Sequence, residues 1–99
     1  MEGHAQISAD VLARYAADAA REVDGVHGLV EGHVHRHHGV RVTSEDGRVS
    51  LQLHLRVEWG ASIPVVGRAV QERVGDYLVR MADVRPAAID VVVDEIVGE

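Results

Sequence analysis

Hydrophobic and polar positions alternate most strictly between Arg48 and Gly60, in the stretch RVSLQLHLRVEWG. Every odd-numbered residue from 49 to 59 is apolar, and every even-numbered residue from 50 to 58 is polar. Because successive side chains of a strand point to opposite faces of a sheet, this pattern predicts a long strand with one buried and one solvent-facing side. The buried side needs an apolar layer against it, which the flanking amphipathic segments can supply.

The segment before this strand begins with apolar residues at helical spacing. Ser8 is suited to cap a helix, and the apolar positions run from Val11 to Val23. Gly25 is the expected stop. The first element is therefore predicted to be an amphipathic helix.

A second amphipathic helix is predicted directly after the strand. Gly60 ends the strand, Ser62 is the expected cap, and Pro64 suits the first turn because its missing N–H is not needed there. The apolar positions then run from Val66 to Met81. We expect Gly60 to have a role in folding, by permitting the turn, and none in binding.

Shorter strands complete the prediction. Residues 26–30 can form a brief strand, 31–39 read as a polar loop, and a strand beginning at Val40 leads through an Asp-Gly turn into the long strand. Residues 88–97 form the last strand. The order α-β-β-β-α-β predicts an α+β fold, a two-layer sandwich with two helices on one face of a three- or four-stranded mixed sheet. Residues 1–6 are expected to be a flexible tail and residues 7–98 a single domain.

Several motifs follow the order of a known family. They are I-S-x-x-V-L at 7–12, V-D-G-V-x-G-L at 23–29, the strand ending in E-W-G, G-x-S-I-P-x-V at 60–66 and I-D-V-V-V-D-E-I at 89–96. On these motifs the chain resembles the alkaline shock protein family of small bacterial envelope stress response proteins, over roughly residues 6–98. It departs from the family at Met81-Ala82-Asp83-Val84, where a Thr-Gly-Leu-like ending is usual, and in its histidine-rich loop.

The resemblance implies a function without catalysis. The family is not known for an enzymatic activity, its members associate with themselves or with relatives, and some lie near the cell membrane through a membrane-embedded partner. It therefore implies a non-catalytic protein–protein interaction or scaffold module in a stress response, which self-associates or binds a membrane-anchored relative. The expected location is cytoplasmic, peripheral at the inner face of the cell membrane. No catalytic residue carries over.

Composition narrows the alternatives. The 99 residues include no cysteine, which excludes disulfides and thiolate metal sites, and the net charge of −6 argues against nucleic acid as a partner. No apolar run approaches the ~20 residues of a membrane-spanning helix, and the N-terminus lacks the pattern of a secretory signal. No phosphate loop or G-x-S-x-G motif is present. We expect no enzyme, no cofactor and no small-molecule substrate.

The histidines leave one alternative function open. His33, His35, His37 and His38 lie close together in the 31–39 loop, and neutral imidazoles bind Zn²⁺ and Ni²⁺. The alternative is therefore a small histidine-rich metal-binding protein using residues 33–38. Adventitious binding of Zn²⁺ or Ni²⁺ and a plain solvated loop are the other interpretations. Protonation of all seven histidines would change the formal charge from −6 to +1, which also leaves a pH response open.

The polar side of the long strand is the predicted interaction surface, formed by Gln52, His54, Arg56 and Glu58. An ordinary solvated sheet face is the alternative interpretation of the same residues. Asp90 and Asp94, with Glu95, lie on the last strand and can form an acid/base pair or a hard-cation site. The alternative is that they act as charges that keep a strand edge from aggregating.

Overall fold

The computed structural model describes residues 7–32 and 34–98. Its elements, in chain order, are α1 (Ala9–Arg21), β1 (Val26–Leu29), β2 (Val40–Glu45), β3 (Arg48–Glu58), α2 (Ile63–Ala82) and β4 (Ala88–Val97). The predicted α-β-β-β-α-β order and α+β class are confirmed. The expected flexible tail, residues 1–6, lies outside the described residues.

The long strand β3 is the centre of a four-stranded mixed sheet. On one edge, β1 and β2 pair with it end to end and antiparallel, with Leu29 opposite Leu55 and Val40 opposite Leu53. On the other edge β4 runs parallel to β3, with Val91 also opposite Leu53. The register between β3 and β4 shifts after Leu55, so that Arg56 lies opposite Glu95.

Both helices cover one face of this sheet, as the alternation predicts. The β3 side chains that point toward them are fully buried, and so is the apolar row of α2; these residues are Leu51, Leu53, Leu55, Val57, Val70, Val74 and Leu78. Helix α1 contributes mainly alanines, which let it approach closely. Tyr15 of α1 meets Tyr77 of α2 edge to face, with ring centroids 5.9 Å apart.

The helix ends follow the predicted caps with one difference. Ser8 Oγ accepts a hydrogen bond from the Val11 N–H at 3.1 Å, and Ser62 Oγ accepts one from the Val65 N–H at 3.4 Å. Helix α1 ends at Arg21, four residues before the glycine expected to stop it. The chain uses residues 22–25 for a turn that leads into β1.

Trp59 is not part of the buried side of β3. The strand ends at Glu58, the chain turns at Trp59 and Gly60, and the tryptophan side chain is 68% exposed. The prediction that the odd-numbered burial continues to residue 59 is therefore wrong, because strand geometry stops one residue earlier.

Candidate interaction surface

The side of β3 that faces away from the helices is covered at its centre. His54 is only 6% exposed, so its predicted place on a solvent-facing surface is wrong. The physical reason is the loop between β1 and β2, whose Arg36 side chain contacts Asp94 beside the His54 ring. Both ends of this loop are bonded to the His54 backbone: its carbonyl accepts from the Val30 N–H at 2.9 Å, and its N–H donates to the Gly39 carbonyl at 3.1 Å.

A polar network lies beneath this loop. His54 Nδ1 lies 3.1 Å from Asp94 Oδ2, and its Nε2 lies 2.8 Å from Gln52 Oε1. Arg36, in the loop, places Nη1 3.8 Å from the same Asp94 carboxylate and is itself only 17% exposed. The loop, β3 and β4 are therefore joined by one chain of charged and polar side chains.

The other predicted surface residues lie outside this network. Arg56 Nε lies 3.2 Å from Glu95 Oε1 on β4, and Glu58 is exposed at the end of β3. Gln52 and His54 thus serve the polar network, whereas Arg56 and Glu58 lie at the accessible end of the strand. The structure does not bring the four together as one open surface. Asp94, considered from sequence as a cation ligand or an edge charge, is a partner of His54 and Arg36.

Two histidines of the loop, His37 and His38, turn toward α1. His37 Nδ1 and His38 Nε2 lie 3.4 and 3.2 Å from Asp10 Oδ1, whereas His33 lies outside the described residues. Across residues 7–32 and 34–98, no three His, Cys, Asp or Glu side chains are grouped so that they could hold a metal ion. His35, also predicted as a ligand, is exposed near Val34 and Arg36.

An exposed apolar surface lies at the C-terminal end of β3, where the chain turns into α2. Trp59, Ile63 and Ile96 are 68%, 42% and 52% exposed, and together they line a cavity of about 300 Å³. We call these three residues the Trp59 surface. The sequence-based expectation gave this strand-to-helix junction a role in folding alone, through Gly60, and did not identify it as an interaction surface. A signal was available: Trp59 is the only tryptophan in a sequence with three aromatic residues.

This surface adjoins an unpaired strand edge. In the part of the chain that the structure describes, β4 pairs with β3 alone, and its C-terminal residues carry Ile96 into the Trp59 surface. An exposed apolar cluster next to an available strand edge is typical of a protein–protein interaction site. Neither described helix is long and apolar enough to cross a membrane.

Comparison with known proteins gives a family and a fold. The model of the alkaline shock protein 23 family, described by its cell envelope-related function, matches residues 1–98. The uncharacterized protein YqhY of Bacillus subtilis (strain 168) is 35% identical over 89 residues, covering 80% of this chain and 66% of that protein. The uncharacterized protein Spy1535 of Streptococcus pyogenes serotype M6 is 30% identical over 105 residues, covering 98% of this chain and 81% of that protein. The chain thus spans just under two thirds of YqhY.

Solved structures of MamM-CTD share the fold. One variant of MamM-CTD superposes with a TM-score of 0.67 at 16% identity, covering 92% of this chain and 100% of that one. The structure of MamM-CTD 215-293 gives a TM-score of 0.61 at 16% identity, with coverage of 85% and 94%. At this identity the likeness concerns the arrangement of helices and strands.

Proposed function

This chain belongs to the alkaline shock protein 23 family, which its motifs resemble and which is described by a cell envelope-related function. We propose that it is a non-catalytic protein–protein interaction module. Its partner is a second copy or a relative of the same family. Where that relative is anchored in the membrane, the module works in the cytoplasm at the inner face of the cell membrane, in a response to envelope stress.

The observation that carries this proposal is the Trp59 surface. A large aromatic side chain that is 68% exposed leaves apolar area in water, which is unfavourable by roughly 25 cal/mol per Å² unless a partner covers it. Tryptophan is also among the residues most enriched at the energetic centres of protein interfaces. Ile63 and Ile96 enlarge the same surface on both sides, from α2 and from β4.

The surroundings of the buried histidine support a role without catalysis. A His–Asp pair is a feature of hydrolases only when the histidine also reaches a nucleophile. Among the described residues, the hydrogen bonds of the His54 ring go to Asp94 and Gln52, and neither is a hydroxyl or a thiol. The pair is thus suited to fastening the loop to the sheet.

The test removes the apolar side chains and follows assembly. Trp59→Ser and Ile63→Ser are compared with Val34→Ser, which removes a 90% exposed apolar side chain from the loop on the other side of the sheet. Light scattering measures self-association, and co-purification with the co-expressed membrane-anchored relative measures the second kind of partner. We expect the affinity of assembly to fall at least tenfold in both Trp59-surface variants and to remain unchanged in Val34→Ser. Equal assembly by all three variants would refute the proposal.

A further inference from the structure

The outer edge of β4 presents backbone groups that no described strand uses. Neighbouring residues of a strand direct their backbone N–H and C=O groups to opposite edges. The Gln71 side chain of α2 donates a hydrogen bond to the Ile89 carbonyl at 2.9 Å, so this carbonyl points away from β3. By the same alternation, the N–H and C=O groups of Val91 and Val93 also point outward and are available to another strand.

Helix α2 overhangs this edge with a row of residues that includes two glycines. Ile63, Gly67, Gln71 and Gly75 are spaced by four and therefore share one helix face. The contacts at both ends place that face over β4, because Ile63 lines a cavity with Ile96, and a Cβ on Gly75 would lie 3.6 Å from the Ile89 side chain.

Gly67 has no explanation in the packing of the chain itself. A Cβ added there would meet nothing within 4 Å, so no close approach requires glycine. Glycine inside a helix costs roughly 0.5–1 kcal/mol relative to alanine. Its effect is to leave open space between α2 and the outer edge of β4. We call the space bounded by the outer edge of β4 and the α2 row the β4 groove.

We propose that the β4 groove binds an extended, basic segment of a partner protein, which adds to the sheet as a strand beside β4. This inference rests on the proposed function and specifies its partner. The segment hydrogen-bonds to Val91 and Val93, and its apolar side chains lie beneath α2 against Ile89, Val91 and Val93. A large apolar side chain at its end fills the cavity of about 300 Å³ in the Trp59 surface.

Charge determines the kind of segment. Asp90 is exposed on the face of β4 away from the helices, so a basic residue directly opposite it in the added strand is favourable. A second copy of β4 fits poorly. Antiparallel pairing centred on Val92 places Asp90 opposite Asp94 of the second copy, and like charges in that position are destabilising. Pairing centred on Val91 leaves Asp90 opposite a valine, without a basic partner.

The test uses synthetic ten-residue peptides on the full chain. The arginine peptide alternates valine with arginine and ends in leucine. In the glutamate peptide, glutamate replaces every arginine. The third peptide has the sequence of the arginine peptide, with N-methylated amides on alternate residues. Fluorescence emission from Trp59, the single tryptophan, reports occupation of the groove. Hydrogen exchange measures how strongly the amides of Val91 and Val93 are protected from solvent. We expect the arginine peptide to bind at least about fivefold tighter than the glutamate peptide, to protect both amides, and to lose binding on N-methylation.

Matched variants assign the binding to the groove. Asp90→Arg should reverse the preference between the arginine and glutamate peptides. Gly67→Gln should fill the groove and weaken binding of the arginine peptide at least tenfold. It should retain the helical circular dichroism of the parent, because glutamine is a better helix former than glycine. Val34→Gln, on the distant loop, should bind like the parent.

Four outcomes would overturn the inference: no binding of the arginine peptide, no preference between the charged peptides, unchanged binding by Gly67→Gln, or protection of the β4 amides by the protein alone at high concentration. The last would identify a second copy as the occupant. Each differs from failure of the proposed function. If Trp59→Ser abolishes assembly but no peptide enters the groove, the interaction module stands and only the strand-addition mode is lost.

Discussion

Asp94 holds His54 from the neighbouring strand, with its Oδ2 3.1 Å from the ring Nδ1, beneath the loop that joins β1 to β2. The other ring nitrogen faces Gln52 Oε1 at 2.8 Å. A ring protonated on both nitrogens donates both hydrogen bonds, whereas a ring with one proton satisfies both partners only if the Gln52 amide is turned. The pair also connects to the loop through Arg36. It fixes where the loop lies on the sheet.

We therefore expect His54→Ala to destabilise the fold by about 1–3 kcal/mol, because a partly buried carboxylate loses its hydrogen-bond partner. Urea unfolding of His54→Ala, Asp94→Ala and the double variant gives the coupling energy, expected at about 0.5–3 kcal/mol. Glu58→Ala, at an exposed position on the same face of β3, should change stability by less than about 0.5 kcal/mol. Additive effects of the two substitutions would show that the pair does not act as a unit.

The sequence predicts this strand but not the environment of its histidine. Alternation from 49 to 57 determines which side chains face the helices, and the structure agrees at Leu51, Leu53, Leu55 and Val57. Nothing in that pattern shows that the loop between β1 and β2 folds back over the other face. Burial of His54 depends on that loop and on Asp94, which lies 40 positions along the chain, and single-strand periodicity carries no information on such contacts.

Gly60 has the conformation expected of a required glycine. Its φ is +90°, which side chains with a Cβ rarely adopt, and a Cβ there would meet no atom within 4 Å, so any cost of substitution comes from the backbone alone. Gly60→Val should destabilise by about 1–3 kcal/mol. Ser62→Ala, two residues on, should cost about 1 kcal/mol through loss of the cap on α2.

Urea melts and partner binding of these two variants separate folding from recognition. Gly60→Val should bind its partner like the parent when both are compared under conditions in which the variant is fully folded. A variant that melts like the parent but loses its partner would show that the junction recognises the partner through Gly60 itself. The exposed Trp59 next to it makes this distinction necessary, because the two neighbours are assigned different roles.

The end of α2 places a residue other than glycine in a left-handed backbone conformation. Asp83 caps the helix in the left-handed region, with φ 54° and ψ 37°, and its N–H donates to the Val79 carbonyl at 3.0 Å. Glycine is the residue that adopts this conformation most readily. Asp83→Gly should therefore stabilise the protein by about 0.5 kcal/mol, after allowing for the greater freedom of glycine in the unfolded chain. Thermal unfolding beside Asp83→Ala, expected to destabilise, measures the difference. A lower melting temperature for the glycine variant would contradict this account.

The histidine loop yields the last prediction. Metal ions bind tightly in proteins when about three or four ligands converge, and among the described residues His37 and His38 converge only on the single carboxylate of Asp10. We expect calorimetric titration with Zn²⁺ and Ni²⁺ to give dissociation constants no tighter than about millimolar. The matched variant changes His33, His35, His37 and His38 to alanine together, and Asp10→Asn tests the carboxylate. Micromolar binding that the fourfold variant abolishes would establish the metal-binding alternative, with His33 as the ligand that completes the set.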